Sequence, residues 1–156
     1  MYLCSRDISY KEMMEENNSR VSRSITLPND VAEVPVLAEF VEGICEEVGM
    51  DMPTMMQLNL AIEEAVVNVM DYAYPAGEEG EVVVDAVVND GQLQIVIKDQ
   101  GTPFDPTAKG EVDTTLSAEE RKIGGLGIHL IRTIMDTVSY ERVGDSNVLT
   151  LTKKIQ

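Results

Sequence analysis

Carboxylates, amides and glycines in three short segments carry the clearest chemistry in this sequence. The first segment places Glu64 and Asn68 four residues apart in a helical pattern. The second places Asp99 and Gly101 directly after an apolar, alternating run, Leu93–Ile97. The third is a glycine cluster that opens a predicted helix and consists of Gly124, Gly125, Leu126, Gly127 and Ile128. An acid with an amide, an acid with a glycine, and glycines at a helix start together describe a nucleotide site.

Glu64 and Asn68 lie one turn apart on a helix, so their side chains are neighbours. An amide oxygen is a hard ligand that suits Mg²⁺, and a carboxylate can accept a proton from a hydroxyl that attacks a phosphoryl group. A solvated helix face is the alternative interpretation. It fits less well, because the flanking residues are apolar and an amide buried there needs a partner. Glu63 is the rival carboxylate, five residues from Asn68.

Asp99 stands where a predicted strand ends, beside a glycine that permits close approach of a ligand. A buried acceptor at this point can take a hydrogen bond from the exocyclic amine of adenine, and Gly101 leaves space for the flat ring. This arrangement selects adenine over guanine, which offers a carbonyl instead. Without the other two segments the same residues, followed by Pro103, would describe a plain turn.

The glycine cluster supplies free N–H groups at a helix start, and such a helix start favours phosphate. A flexible lid hinge is the alternative, and it is compatible with phosphate binding. The cluster is not a Walker loop, because no Lys-Ser/Thr pair follows it, and it is not a dinucleotide fingerprint, because no short βαβ unit surrounds it.

Composition limits the function classes. The chain has 156 residues, enough for one domain with its own core, and its 44% hydrophobic content argues against disorder. A net charge of −16 argues against binding of nucleic acid through its phosphates. Cys4 and Cys45 lack metal-ligand spacing and indicate a reducing compartment. No apolar run approaches the roughly 18 residues of a membrane span, and the N-terminus lacks the apolar segment of a signal peptide, so we expect a cytoplasmic protein.

The periodicity predicts residues 1–20 as a polar tail and 21–156 as a single domain. Neighbouring predicted strands are joined by hairpins rather than by helical crossovers. This predicts an antiparallel or mixed sheet with helices on one face, which is a two-layer α+β fold. Strands are predicted at Val21–Leu27, Glu81–Asn89, Gln92–Asp99, Thr137–Val143 and Asn147–Ile155, and helices at Val31–Val48, from Pro53 to about Tyr72, and at Gly125–Asp136.

Three ordered motifs resemble the Bergerat-fold ATP-binding superfamily, which includes gyrase and the histidine kinases. Within it, they are most similar to small bacterial anti-sigma factors that are also serine/threonine protein kinases. The similar segments are Asn68–Pro75, Asp99–Pro106 and Gly124–Ile131, and the resemblance extends over residues 21–155.

The resemblance implies a two-layer α/β sandwich that binds ATP and Mg²⁺. It implies phosphorylation of a serine on a small antagonist protein, sequestration of a sigma factor, and usually a homodimer. Roles follow residue by residue: Glu64 as general base, Asn68 as Mg²⁺ ligand, Asp99 as adenine reader, Gly101 as space for the base, Gly124, Gly125 and Gly127 as the phosphate cradle, and residues 107–123 as an ATP lid.

Two positions depart from the family pattern. Ile123 stands where some kinase members carry an arginine, and Tyr72 replaces a histidine common near the end of the helix that carries Asn68. A partner-switch module that binds ATP or ADP without transferring phosphate is therefore the alternative function. A detached histidine-kinase catalytic domain is a weaker one, since His129 is the only histidine and lies at the predicted phosphate end.

Overall fold

The computed structural model describes residues 20–75, 77–108 and 126–155, with side chains in the last range from Gly127 onward. The predicted tail therefore lies outside the described residues apart from Arg20. The predicted lid lies outside them apart from Thr107 and Ala108. Gly124 and Gly125 also lie outside, so their predicted roles stay predictions.

Within the described residues, five strands and three helices follow in the predicted order. The strands are β1 (Arg20–Pro28), β2 (Glu81–Asn89), β3 (Gln92–Asp99), β4 (Thr137–Val143) and β5 (Ser146–Lys154), and the helices are α1 (Val34–Glu47), α2 (Met52–Tyr72) and α3 (Leu126–Ile134).

Local sequence explains how the helices begin. Asp30 accepts a hydrogen bond from the Ala32 N–H and caps a 3₁₀ turn, Val31–Glu33, that leads into α1. The prediction of one continuous helix from Val31 was therefore wrong in its first turn. Asp51 occupies the N-cap position of α2 but makes no side-chain capping hydrogen bond, and a proline in the first turn starts the helix instead.

The sheet has the strand order β1-β2-β3-β5-β4, and every neighbouring pair is antiparallel. The α+β prediction is confirmed, with an antiparallel rather than a mixed sheet. The β2–β3 hairpin turns at Asp90 and Gly91, whose φ angles are 52° and 75°. Positive φ at both central residues is the requirement of the tight hairpin turn that the Asn-Asp-Gly sequence predicted.

The core lies between one face of the sheet and the three helices. Residues of β2 and β3 alternate between buried and less buried, as expected when only one face of a sheet is covered. The predicted stripe of α2, which consists of Leu58, Ile62, Ala65 and Val69, is buried. None of the helices in the described ranges is long and apolar enough to cross a membrane.

Candidate active site

Glu64 and Asn68 meet the start of α3. A Cβ atom added to Gly127 would lie 2.8 Å from Nδ2 of Asn68 and 3.3 Å from Oε2 of Glu64. Helices α2 and α3 pack against each other here, and only a glycine leaves the two polar side chains in place. Both side chains are half-buried rather than solvated. The structure thus brings together two of the three segments that the sequence singled out.

Glu64, and not its neighbour Glu63, is the carboxylate at this contact. The three atoms nearest to the Cβ position of Gly127 all belong to Asn68 and Glu64. Ile128 follows Gly127 in α3, and its side chain is 3% exposed within the core. Any contact of Ile128 with a ligand would therefore come from its backbone.

Asp99 is 3% exposed at the end of β3. Its Oδ1 accepts hydrogen bonds from the backbone N–H of Gly101, at 2.9 Å, and from Nδ2 of Asn147, at 2.8 Å. Its Oδ2 is buried and has no partner among the described residues. A buried acceptor without a donor is costly, so this oxygen is suited to receive an amine or another donor from a ligand.

Gly101 has a packing role that the sequence did not reveal. A Cβ atom at this position would lie 2.3 Å from the carbonyl oxygen of Ala73, at the C-terminal end of α2. Thr102 donates to the same oxygen from its backbone N–H, at 2.7 Å, and from its hydroxyl, at 3.0 Å. The loop after β3 is therefore fastened to α2, and this close approach alone requires glycine. Space for a base beside it stays a prediction.

Tyr74 holds two loops near Asp99. Its hydroxyl donates to the carbonyl oxygen of Glu81, at 2.8 Å, and accepts from the N–H of Gln100, at 3.1 Å. A Cβ atom at Gly80 would collide with its ring, at 2.3 Å from Cε1. Sequence reasoning included Tyr74 in a motif but gave it no role. The only available signal was a tyrosine directly before a proline.

Tyr72 packs against Phe104 of the loop after β3, with ring centroids 5.6 Å apart and the ring planes tilted by 40°. Burial, with a smaller contribution from Asp71, raises the pKa of the Tyr72 hydroxyl. The tyrosine that departs from the family pattern thus provides an apolar contact that an imidazole would make less well.

Two arginines donate hydrogen bonds to the loop that follows β3. Nη1 of Arg142 donates to the carbonyl oxygen of Gly101, at 2.9 Å, and Nη2 of Arg132 donates to that of Thr107, at 3.2 Å. Burial raises the pKa of the Tyr140 hydroxyl, which lies beside Arg142 on β4. The two contacts fasten the loop after β3 to β4 and to α3.

Two cavities lie near the C-terminal end of α2. One, of about 480 Å³, includes Asp99, Tyr74 and Gln100 in its wall. The other, of about 910 Å³, lies against the loop of residues 77–81, and neither Glu64, Asn68 nor Asp99 lines it. Glu64 and Asn68 line neither cavity, and Asp99 lines only the smaller one, so neither cavity by itself contains all the residues that the sequence singled out.

The residues present fit a magnesium nucleotide. Within residues 20–75, 77–108 and 126–155, no group of three or more His, Cys, Asp or Glu side chains could hold a metal ion. Mg²⁺ commonly takes one or two protein oxygens and completes its shell with phosphate and water. The Asn68 amide, with Gly127 beside it, suits that mode of Mg²⁺ binding. The unpartnered oxygen of Asp99 suits the amine of a nucleobase such as adenine.

A model of the histidine kinase-like ATPase domain matches residues 27–153. The chain belongs to this family. The matched residues include Asp99 as well as Glu64, Asn68 and the start of α3, and the fold brings the last three together. The ATPase domain implies that this family member uses ATP.

Curated relatives are named serine-protein kinase RsbW. The protein from Listeria monocytogenes serovar 1/2a is 34% identical over 130 residues, which cover 76% of this chain and 83% of the relative. The protein from Halalkalibacterium halodurans is 33% identical over 137 residues, which cover 85% and 82%. The family member described here is therefore similar to protein kinases over most of its length.

A crystal structure of the RsbU and RsbW domains of a Mycobacterium tuberculosis protein has the same fold. It superposes with a TM-score of 0.62 at 18% identity, over 86% of this chain and 32% of that chain. At this identity the likeness concerns the fold alone.

Proposed function

We propose that this protein is an anti-sigma regulatory factor with serine/threonine kinase activity, which transfers the γ-phosphate of ATP to a serine of a small antagonist protein. The observation that carries the proposal is the convergence of Glu64 and Asn68 on Gly127, in a chain whose relatives are named serine-protein kinases. A carboxylate beside the start of a helix that binds phosphate can accept the proton of a hydroxyl during phosphate transfer. Nucleotide binding without transfer would not require such a carboxylate.

Each residue has one task in the proposed reaction. Asp99 receives the exocyclic amine of adenine at Oδ2, and Gly127 gives the phosphates access to the start of α3. Asn68 contributes an oxygen to Mg²⁺, which when bound offsets the charge of the phosphates. Glu64 takes the proton of the serine hydroxyl while the oxygen of that serine forms a bond to the γ-phosphorus. The bond from that phosphorus to the bridging oxygen breaks, and ADP leaves.

The partners follow from the proposed role. A sigma factor and an antagonist are both proteins, and a chain with a net charge of −16 is better suited to them than to nucleic acid. We expect the protein to act as a homodimer in the cytoplasm, where a sigma factor is found.

A catalytically silent switch is the second candidate. The observation that favours it is Ile123, which stands where some kinase members have an arginine. Such a protein would bind ATP through Asp99 and Asn68 and change partners without transferring phosphate.

Incubation with γ-labelled ATP, Mg²⁺ and candidate antagonist proteins distinguishes the two. The kinase proposal predicts label on one serine of an antagonist, located by mass spectrometry, and none when that serine is changed to alanine. ATP binding by calorimetry together with no transfer to any antagonist would reject the kinase and leave the switch.

A further inference from the structure

Asn147 is a buried polar residue that no motif singled out. It is 3% exposed at the start of β5, and its side chain uses its full hydrogen-bonding capacity. Nδ2 donates to Oδ1 of Asp99 and to the carbonyl oxygen of Thr102, both at 2.8 Å. Oδ1 accepts from the N–H of Phe104, at 3.1 Å, and from the hydroxyl of Tyr140.

The strand register places Asn147 directly opposite Asp99 in the β3–β5 pair. Its amide therefore reaches the carboxylate without any loop movement. Together with the N–H of Gly101, it occupies Oδ1 of Asp99 and leaves Oδ2 as the oxygen without a partner. Asn147 thus decides which oxygen of Asp99 is available and in which direction it points.

Asn147 also fixes the loop that follows Asp99. It binds the backbone at Thr102 and Phe104, while Arg142 of β4 holds the carbonyl oxygen of Gly101. With four bonds already made inside the protein, the Asn147 side chain has no donor or acceptor left for a ligand. Any effect it has on ligand binding must act through Asp99 and this loop.

We propose that Asn147 is a positioning residue that sets the preference of this site for adenine. By holding Oδ1 of Asp99, it presents Oδ2 to the exocyclic amine. Without it, the carboxylate can rotate and accept other donors. The inference rests on the proposed function in one respect, that Asp99 reads the base of ATP.

The test compares ATP with inosine triphosphate, in which a carbonyl oxygen replaces the amine. Wild type should favour ATP by about tenfold or more, the worth of a hydrogen bond to a charged group. Asn147→Asp keeps the size and can still accept from Phe104 and Tyr140, but it turns an acceptor toward Asp99. The preference, measured as the ratio of the two dissociation constants by calorimetry, should fall about tenfold.

Tyr140→Phe is the matched control. It removes a hydrogen bond from the other side of Asn147 and leaves the bond to Asp99 intact, so the ratio should stay at the wild-type value even if the melting temperature falls. Asn147→Ala, which removes the same donors without adding a charge, serves if Asn147→Asp does not fold. A folded Asn147 variant with the wild-type ratio would overturn the inference and leave the proposed function standing. Wild type that binds ATP no better than inosine triphosphate would overturn the inference, and wild type that binds neither would overturn both.

Discussion

A buried carboxylate is most available to a ligand when the protein leaves one of its oxygens without a hydrogen-bond donor. Asp99 meets this condition, since two protein donors hold Oδ1 and no described residue reaches Oδ2. Ligand binding at Oδ2 would therefore depend on the residues that hold Oδ1 as much as on Asp99 itself.

Changing Asp99 to asparagine should weaken ATP binding by about ten- to a hundredfold, because an amide can present a donor where the adenine amine needs an acceptor. Calorimetry measures the loss. Asp85→Asn, on the uncovered face of the sheet, is the control and should leave the ATP affinity unchanged. A folded Asp99→Asn variant that binds ATP like wild type would reject Asp99 as the adenine reader.

At the scale of elements, the site depends on the contact between α2 and α3. Gly127→Ala would force a methyl group to within 2.8 Å of Nδ2 of Asn68, so the amide must move. We expect ATP affinity in the presence of Mg²⁺ to fall by about tenfold or more. Gly43→Ala is the matched control: it lies inside α1 with open space around it and should raise stability by about 0.5–1 kcal/mol without affecting ATP. Equal ATP affinity in both variants would contradict the proposed contact.

The uncovered face of the sheet has its own network, in which Ser24 of β1 donates to Asp85 at 2.6 Å and Lys98 of β3 lies 3.2 Å from the same carboxylate. The hydrogen bond from Ser24 is the largest cause that lowers the pKa of Asp85, and Lys98 adds to it. A lowered pKa in the folded state contributes stability above the unfolded pKa of about 3.9 and loses it as the pH falls through the folded pKa.

Ser24→Ala should therefore lower the free energy of unfolding at pH 7 by about 0.5–1 kcal/mol, an effect limited by solvent screening. The difference from wild type should shrink when urea unfolding is repeated near pH 2–3. A deficit that stays constant between the two pH values would mean that the ionised form of Asp85 contributes nothing.

Hairpins were the most predictable elements. The bounds of β2 and β3 agree with the sequence prediction, because Asn89-Asp-Gly91 fixes both the turn and the register. The insertion of β5 between β3 and β4 could not be predicted, since it depends on pairing between residues 48 to 62 positions apart, from Asp99 with Asn147 to Gln92 with Lys154. The same pairing brings Asn147 to Asp99. The contact between Asn147 and Asp99 therefore could not be predicted from the sequence either.

Other parts of the site were hidden for a related reason. The carboxylate, amide and glycine of Glu64, Asn68 and Gly127 could be recognised by residue type. The role of Gly101 against Ala73 and that of Tyr74 between two loops could not, because both depend on where a helix ends in space. Residue type thus identifies candidate ligand-binding groups better than it identifies the groups that hold them in place.

At the scale of the whole molecule, net charge is the dominant feature. A chain with a net charge of −16 repels itself in the folded state. Raising NaCl from about 0.01 to 0.15 M shortens the Debye length from roughly 30 to 8 Å. The melting temperature should rise by about 2–4 °C, which corresponds to roughly 1 kcal/mol for a chain of this size. A melting temperature that falls over this range would show that attractive ion pairs outweigh the repulsion.

In the proposed function, Glu64 accepts the proton of the serine hydroxyl, while Asp99 and Asn68 hold the nucleotide and its Mg²⁺. The most direct measurement is the rate of phosphate transfer from ATP to the antagonist serine in Glu64→Gln and Glu63→Gln, with ATP affinity measured in parallel. The proposed mechanism predicts that Glu64→Gln binds ATP nearly as wild type does but transfers phosphate about 10²–10⁴ times more slowly, whereas Glu63→Gln does both normally. Transfer by Glu64→Gln at the wild-type rate would show that Glu64 is not the base.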